Sequence, residues 1–303
     1  MARILILEPS AKINLTLQVG PRRPDGFHDV TTLLQSITLH DTLTISARRG
    51  PFGLACRTPG VPGDRSNLVW KAAEALWSAM GREGDPRDAH IKLDKAIPSQ
   101  AGLGGGSADA AAALVGLNTL WGARKSRREL MSLAAQLGSD VPFFLQGGTA
   151  LGTGRGEDLY PVDDVERVGV VVIKPSFGVA TADAYRWLDA DREDSGSGEA
   201  GLSAPHASIG HPVEVGWPSR SVRLVNDLMP PVVQRHPAVR EMVDACLAAG
   251  AVAAQMSGSG SAVFGLFPES ATARAARQLK RPDWLVLVAR TQSRREAARR
   301  MGL

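Results

Sequence analysis

Cysteine is scarce in this chain of 303 residues, which contains only Cys56 and Cys246. Two thiols so distant in sequence indicate neither a metal cluster nor a disulfide framework, so we expect both to be reduced and structural. Long apolar runs are also missing, because the longest, such as Val168 to Ile173, are far shorter than a membrane-spanning helix. The first residues, Met1 to Leu7, carry one charge and show neither a cleavage site nor a transit segment. We therefore expect a cytoplasmic protein with no membrane partner.

Aromatic residues and net charge are both limited. Aromatic residues make up 5% of the chain, and the net charge of +4 is concentrated in residues 271–303, which hold nine Lys and Arg against Asp283 and Glu296. Within Ser293 to Arg300 no aromatic side chain alternates with the arginines, as single-strand nucleic-acid binding would require. We expect no nucleic-acid partner, and either a solvated terminal helix or a frayed end at this segment.

Length and composition are those of a globular chain with a large core. With 303 residues, 44% of them hydrophobic, the chain is long enough for two domains. Strand and helix patterns predict an α+β protein with domains 1–160 and 161–303 that share a cleft. Ser126 to Leu137 predicts a helix with a capping box, whereas Gly50 to Gly63 predicts a loop. Asp191 to Pro218, rich in Gly, Ser and Pro, predicts an exposed insertion.

One stretch organises the chain, Pro98 to Ala113, in which a glycine-rich turn runs into an alanine-rich helix. Glycines lack Cβ atoms, so the backbone can approach a ligand closely, and the free N–H groups at the helix start favour an anion. Ser107 is the predicted N-cap. A Walker loop does not fit, since Gly106 is followed by serine rather than lysine, and the dinucleotide fingerprint is not met either. The stretch predicts a phosphate-binding turn, with an ordinary tight turn as the alternative.

Three further segments carry chemically useful side chains. Alternation from Ala11 to Val19 predicts a strand with Lys12 and Asn14 on one face. His28 follows a turn, and Asp140 lies beside a strongly apolar patch. Taken singly, these residues are a solvated lysine, a loop histidine and a helix N-cap as readily as they are parts of a site.

The glycine-rich stretch, read as Pro-x-x-x-Gly-Leu-Gly-Gly-Gly-Ser-Ala-Asp-Ala, resembles the ATP-binding loop of the GHMP kinases, the superfamily of galactokinase, homoserine kinase and mevalonate kinase. The segments around Lys12, His28 and Asp140 resemble one family within it, the 4-diphosphocytidyl-2-C-methyl-D-erythritol kinases. The resemblance spans essentially the whole chain. It implies an N-terminal domain like ribosomal protein S5 domain 2, a C-terminal ferredoxin-like domain, and a cleft between them.

The resemblance implies ATP-dependent phosphorylation of the 2-hydroxyl group of 4-diphosphocytidyl-2-C-methyl-D-erythritol, a small-molecule substrate of the non-mevalonate isoprenoid pathway, with Mg²⁺ as a second cofactor. A GHMP kinase for another alcohol and a non-catalytic nucleotide-binding protein are the alternatives. The resemblance assigns catalysis to Lys12 and Asp140. It assigns substrate binding to Asn14, Phe27, His28 and Tyr185, and ATP binding to Pro98, Gly102, Leu103, Gly104, Gly105, Gly106, Ser107 and Ala108.

Several of these assignments are incomplete. Phe27 stands where the family has a tyrosine, which keeps the stacking ring and removes a hydroxyl group. Tyr185 would close over the base as a second aromatic, with packing in a helix core as the alternative. The Mg²⁺ ligands and the oligomeric state are not identified; Ser107 and Asp109 are candidate ligands, with helix capping as the alternative for both. The turn from Met256 to Ser261 resembles the superfamily's third motif, which would bring backbone amides against the phosphate loop.

Overall fold

The structure is a computed structural model that describes residues 4–194 and 224–303. Within these residues thirteen strands form three sheets, and nine helices pack against them. The strands are β1 (Ile4–Leu7), β2 (Ser10–Arg22), β3 (His28–His40), β4 (Thr42–Pro51), β5 (Gly53–Cys56), β6 (Arg87–Asp94), β7 (Thr149–Thr153), β8 (Asp158–Pro161), β9 (Gly169–Pro175), β10 (Val225–Asn226), β11 (Ala253–Met256), β12 (Val263–Phe267) and β13 (Trp284–Arg290). The helices are α1 (Leu68–Ala79), α2 (Gly105–Leu120), α3 (Arg127–Leu137), α4 (Val141–Gln146), α5 (Thr181–Asp194), α6 (Met229–Arg235), α7 (Ala238–Ala248), α8 (Glu269–Gln278) and α9 (Arg294–Arg300).

The N-terminal half is built on the long antiparallel hairpin of β2 and β3, which lies in a sheet of order β10-β2-β3-β7-β8. A second sheet, of order β1-β4-β6-β5, buries Leu43 and Ile45 in a core shared with α1 and α2. Gly116 in α2 is necessary for this packing, because a Cβ atom there would overlap the Ile45 side chain. The sheet and the helix therefore lie in close contact, and α2 has a rigid support.

The C-terminal half contains a four-stranded antiparallel sheet of order β11-β12-β9-β13. Along the chain its strands and covering helices follow a strand–helix–strand–strand–helix–strand pattern, as a ferredoxin-like domain requires. Strand β9 is buried on both faces, since Val171 and Ile173 pack in a core with α7 and α8, while Val170 and Val172 pack against Ile13 of the hairpin. The expected α+β class is confirmed.

Two elements of the C-terminal half join the N-terminal half. Strand β10 pairs parallel with β2, and α9 packs against α4. Helix α9 begins with a capping box in which Ser293 and Glu296 bond each other, and Arg290 also donates to the Glu296 carboxylate at 3.0 Å. At its end Arg300 donates to Glu8 at 2.6 Å. The terminal segment is thus a capped helix, which is the first of the two predicted alternatives. The division of domains at 160 and 161 stays a prediction.

Two loop predictions need correction. Within Gly50 to Gly63, residues Gly53–Cys56 form β5, because the apolar neighbours Phe52 and Leu54 are buried and the strand pairs with β6. The first four residues of the insertion predicted from Asp191 belong instead to α5, which continues to Asp194, and the rest of that prediction, to Pro218, lies outside the described residues. By contrast, the capping box of α3 is confirmed, and both cysteines are free thiols.

Candidate active site

The glycine-rich turn within Pro98 to Ala113, here called the phosphate loop, needs two of its glycines for packing inside the protein. Gly102 and Gly104 have φ angles of 73° and 72°, a left-handed conformation that side chains disfavour. A Cβ atom at Gly102 would overlap the Ser257 carbonyl oxygen, and one at Gly104 would lie 2.5 Å from the Phe144 ring. These two glycines are therefore required before any ligand binds.

Helix α2 begins at Gly105, with Gly104 as an N-cap that makes no side-chain hydrogen bond. The expectation that Ser107 is the N-cap is wrong, because the left-handed Gly104 turns the chain into the helix earlier and leaves Ser107 inside the first turn. The N–H groups of the first turn have no intrahelical partner, and the helix dipole adds positive potential there. Gly106 is open on its cleft side, since the atom nearest to a Cβ there would be Leu68 Cδ1 at 3.8 Å. This end of α2 can hold phosphate oxygens.

A second loop, Met256 to Ser261, places a backbone amide against the phosphate loop, as its sequence predicts, because Ser261 N donates to Gln100 O at 3.4 Å. Ser257 Oγ donates to the Gly102 carbonyl at 2.9 Å. The loop is itself held by the buried Asn226, whose Nδ2 donates to Met256 O at 2.9 Å and to Gly258 O at 2.8 Å. No sequence pattern indicated Asn226, which reaches this loop from β10.

Lys12 lies on β2 between two register irregularities of the hairpin. Its Nζ donates to Asn14 Oδ1 at 2.6 Å and lies 3.5 Å from Asp140 Oδ2. Asn14 in turn donates to Thr32 at 2.8 Å. The Lys12 side chain is 5% exposed, so its charge is held in place beside the more accessible carboxylate of Asp140, which is 41% exposed.

Asp140 occupies the N-cap position of α4, but its carboxylate makes no capping hydrogen bond. The backbone there is already helical, with φ −80° and ψ −19°, which is not the extended conformation from which an N-cap side chain reaches back. The carboxylate is instead free to face the cleft beside Lys12. A carboxylate in this position can accept a proton from a bound alcohol.

At the other end of the cleft, His28 lies against α5. Its Nε2 is 2.8 Å from Asp189 Oδ1, and its ring stacks on Tyr185 with centroids 5.2 Å apart. Burial, together with the nearby Asp140 charge, raises the pKa of Tyr185 to about 12. Tyr185 lines the cleft and packs against the C-terminal core. Its packing in the core is therefore observed, and its closing over a base stays a prediction. Phe27 is 51% exposed at the same end.

A cluster of charged side chains lies beneath the phosphate loop, and sequence analysis singled out only one of its three members, Asp109. Lys95 Nζ donates to Asp41 and, at 2.7 Å, to Asp109, and it would lie 3.1 Å from a Cβ at Gly105. Asp41 also accepts from the backbone N–H groups that follow Lys95. Burial, reinforced by the Asp41 charge, raises the pKa of Asp109 well above its usual range. Burial lowers the pKa of Lys95, but the two neighbouring carboxyl groups raise it by more, so this pKa lies above its ordinary value. Lys95 thus lies between two buried carboxyl groups, those of Asp41 and Asp109.

One cleft of about 1170 Å³ joins these groups. It exceeds the usual volume of a site for one small molecule and has room for a nucleotide beside a second substrate. Val61, Asn67 and Leu68 also line it. Ala108 is the one predicted site residue that does not line it, because it is fully buried in α2. The predicted residues that do line it are Lys12, Asn14, Phe27, His28, Pro98, Gly102, Leu103, Gly104, Gly105, Gly106, Ser107, Asp140 and Tyr185.

None of the helices in residues 4–194 and 224–303 has the length and apolar character needed to span a bilayer. Over the same residues, no three His, Cys, Asp or Glu side chains are grouped so that they could bind a metal ion.

Comparisons with known proteins match both halves of the chain to one superfamily, and they confirm the expected GHMP-kinase fold. The family model "GHMP kinases N terminal domain" matches residues 67–148, and "GHMP kinases C terminal" matches residues 207–282. A 4-diphosphocytidyl-2-C-methyl-D-erythritol kinase of Pelotomaculum thermopropionicum is 46% identical over 286 residues, which are 93% of this chain and 96% of the relative. The crystal structure of a 4-(cytidine 5'-diphospho)-2C-methyl-D-erythritol kinase, 33% identical, matches with a TM-score of 0.77 over 97% of this chain and 100% of that chain. A homoserine kinase from Cytophaga hutchinsonii, 19% identical, shares the fold with a TM-score of 0.66 over 96% of this chain and 95% of that chain.

Proposed function

Since the chain belongs to the GHMP kinases and, among them, to the 4-diphosphocytidyl-2-C-methyl-D-erythritol kinases, we propose that its cleft transfers the γ-phosphoryl group of ATP to the 2-hydroxyl group of that cytidyl alcohol. It is an ATP-dependent kinase of the non-mevalonate isoprenoid pathway. Phosphoryl transfer requires positioning and charge neutralisation more than covalent catalysis, and the cleft offers both.

The phosphate loop is proposed to bind the phosphates of ATP. Its support is the free first turn of α2, where N–H groups and the helix dipole converge beside the open face of Gly106. Leu68, whose Cδ1 would lie 3.8 Å from a Cβ at Gly106, and Val61 contribute an apolar surface to the same cleft. We assign the adenosine of ATP to this surface and its γ-phosphate to the side that faces Lys12.

Asp140 is proposed as the general base. As the acceptor oxygen bonds to the γ-phosphorus, the bond from that phosphorus to the bridging oxygen breaks, ADP leaves with the electron pair, and the hydroxyl proton passes to the Asp140 carboxylate. Lys12 is 3.5 Å from that carboxylate and is suited to offset the negative charge that builds up around the transferred group. Asn14 holds the lysine ammonium in this position.

The cytidine of the substrate is proposed to bind at the end of the cleft with Phe27, His28 and Tyr185. The exposed ring of Phe27 offers a stacking face, the partly buried Tyr185 offers a second aromatic ring, and the buried His28 supplies polar atoms. Arg22 and Arg155 line the same end. Their positive charge suits the diphosphate that links the cytidine to the methylerythritol.

Mg²⁺ is expected with ATP, and we propose Ser107 rather than Asp109 as its protein ligand. Ser107 lies in the first turn of α2 and lines the cleft. Asp109 does not fit as a direct ligand, because it is 2% exposed and its Oδ2 accepts from Lys95 at 2.7 Å. When bound, the ion would neutralise phosphate charge, with phosphate oxygens and water as its main ligands.

The observation that carries the proposal is the uncapped Asp140 carboxylate, which lines the cleft 3.5 Å from the buried ammonium of Lys12. The assay measures ADP release with the cytidyl substrate and, in separate reactions, with mevalonate, homoserine or galactose as the acceptor. We expect turnover of the cytidyl substrate alone. If ADP is released with one of the other alcohols and not with the cytidyl substrate, the proposed acceptor is wrong.

Asp140→Asn keeps the shape of the side chain and removes the base, so kcat should fall by about 10²–10⁴-fold with little change in either KM. Lys12→Ala should also lower kcat, and the double variant should lose less than the product of the two single losses, because both residues act on one transition state. Asp244→Asn, an exposed carboxylate on α7 away from the cleft, is the control. If a folded Asp140→Asn variant has a kcat within tenfold of the wild-type value, Asp140 is not the general base.

A further inference from the structure

Helix α5 presents two polar side chains to the cytidyl end of the cleft. Tyr185 and Asp189 are four residues apart, so they lie on one face of the helix. Both contact His28, the first through its ring and the second through a carboxylate oxygen 2.8 Å from Nε2. Asp189 also lines the cleft, and sequence analysis did not single it out.

The hydrogen bonds of the His28 ring determine which of its nitrogens carries a proton. The side chain is 5% exposed, and within residues 4–194 and 224–303 its only hydrogen-bond partner is Asp189. An ionised carboxylate accepts and does not donate, so Nε2 must carry the hydrogen. In a neutral imidazole this leaves Nδ1 as a bare acceptor, free for a ligand.

We propose that Asp189 is a positioning residue that sets base specificity by holding His28 as the Nε2–H tautomer, whose Nδ1 accepts from the exocyclic amino group of cytosine. This inference rests on the proposed function. Cytosine carries an amino donor where uracil carries a carbonyl acceptor. Against uracil, Nδ1 would face a second acceptor, and a buried polar group left unpaired in this way is the basis of strong discrimination.

The test replaces Asp189 by asparagine, whose amide can donate as well as accept and therefore no longer selects one tautomer. The measured quantity is the ratio of kcat/KM for the cytidyl substrate to that for its uridyl analogue. We expect the ratio to fall at least tenfold in Asp189→Asn, with the KM for ATP unchanged. The matched control is Asp191→Asn on the same helix, whose side chain is 26% exposed, against 29% for Asp189, and bonds Arg235 instead. Its ratio should equal that of the wild type.

A second readout does not depend on activity. Nitrogen-15 NMR of the histidine rings separates the two neutral tautomers and the imidazolium, and His28→Gln identifies the signal of His28. We expect the wild type without substrate to carry its proton on Nε2 alone, and Asp189→Asn to show a mixture. A wild-type ring protonated on Nδ1, in either the other tautomer or the imidazolium, would overturn the inference, as would an unchanged ratio in a folded Asp189→Asn variant. If the wild type phosphorylated neither substrate, the proposed function would fail instead, and the NMR result would still decide the tautomer.

Discussion

Gly106 is the glycine of the phosphate loop at which a substitution separates ligand binding from folding. It is the second residue of α2, and its φ angle is not among the positive values of the neighbouring glycines. The nearest atom to an added Cβ would be Leu68 Cδ1 at 3.8 Å, an ordinary van der Waals contact. The ligand-free protein can therefore accept Gly106→Ala without rearrangement, whereas Gly104→Ala would press on the Phe144 ring at 2.5 Å in a left-handed backbone.

Two effects of opposite sign follow for Gly106→Ala. Alanine is favoured over glycine in a helix by about 0.8–1 kcal/mol, which is an upper bound in a first turn, so the free energy of unfolding should rise by up to about 1 kcal/mol. The added methyl group occupies the open face where phosphate oxygens would approach the backbone. Losing two hydrogen bonds to a charged phosphate, at about 1.5–3 kcal/mol each, should weaken ATP binding by roughly two to four powers of ten.

Isothermal titration with a non-hydrolysable ATP analogue and urea unfolding measure these two effects separately. Gly104→Ala is the comparison, since it should lose stability as well as affinity. Wild-type affinity in a Gly106→Ala variant of equal or greater stability would refute the placement of the phosphates on this face of the loop.

Three other predictions concern the substrate, the buried charges and acid stability. Phe27→Ala removes a half-exposed ring, so it should weaken binding of the cytidyl substrate by about 1–3 kcal/mol through lost stacking. The KM for ATP should be unchanged. If the variant binds the cytidyl substrate as tightly as the wild type does, the ring is not a stacking face. Asp41→Asn leaves Lys95 without one of its two buried carboxyl partners and should destabilise the fold by about 3–5 kcal/mol in urea unfolding at pH 7. Asp109→Asn should cost much less, because burial raises the pKa of that carboxyl group and so favours its neutral form; the reverse order would contradict the direction of this pKa shift. Hydrogen bonds from the neighbouring arginine and from the capping serine lower the pKa of Glu296 from 4.5 to about 2, so its contribution to stability is present above pH 4.5 and is lost as the pH falls to about 2. The melting temperature of Glu296→Gln should therefore vary less with pH in that window than that of the wild type, and parallel curves would count against the pKa assignment.

Elements that are stabilised locally could be predicted from the sequence. The capping box of α3 needs only Ser126 and Glu129, three residues apart, and the structure has it. Alternation of apolar residues around Ile13 likewise indicated β2, since the pattern of a strand is set by its own side chains. The glycine spacing and the resemblance it carries led to the phosphate loop, of whose predicted residues only Ala108 does not line the cleft.

What the sequence did not indicate depends on contacts between distant segments. Asp189 meets His28 across 161 residues, and the pair exists only because α5 packs against the start of β3. Asn226 reaches its loop through the pairing of β10 with β2. The N-cap was misplaced onto Ser107 for a related reason, because the left-handed turn at Gly104 is imposed by packing rather than by local preference.

The parallel pair of β10 with β2 also bears on synthesis of the chain. Val19 N donates to Asp227 across 208 residues, so the outer edge of β2 stays unpaired until the ribosome has made the second partner. At about 5–20 residues per second, this interval lasts roughly 10–40 s. An open strand edge is a template for pairing with other chains, and nascent or truncated molecules that end before β10 would expose one. Aggregation of this protein during expression should therefore depend on the rate of translation as well as on the stability of the finished fold.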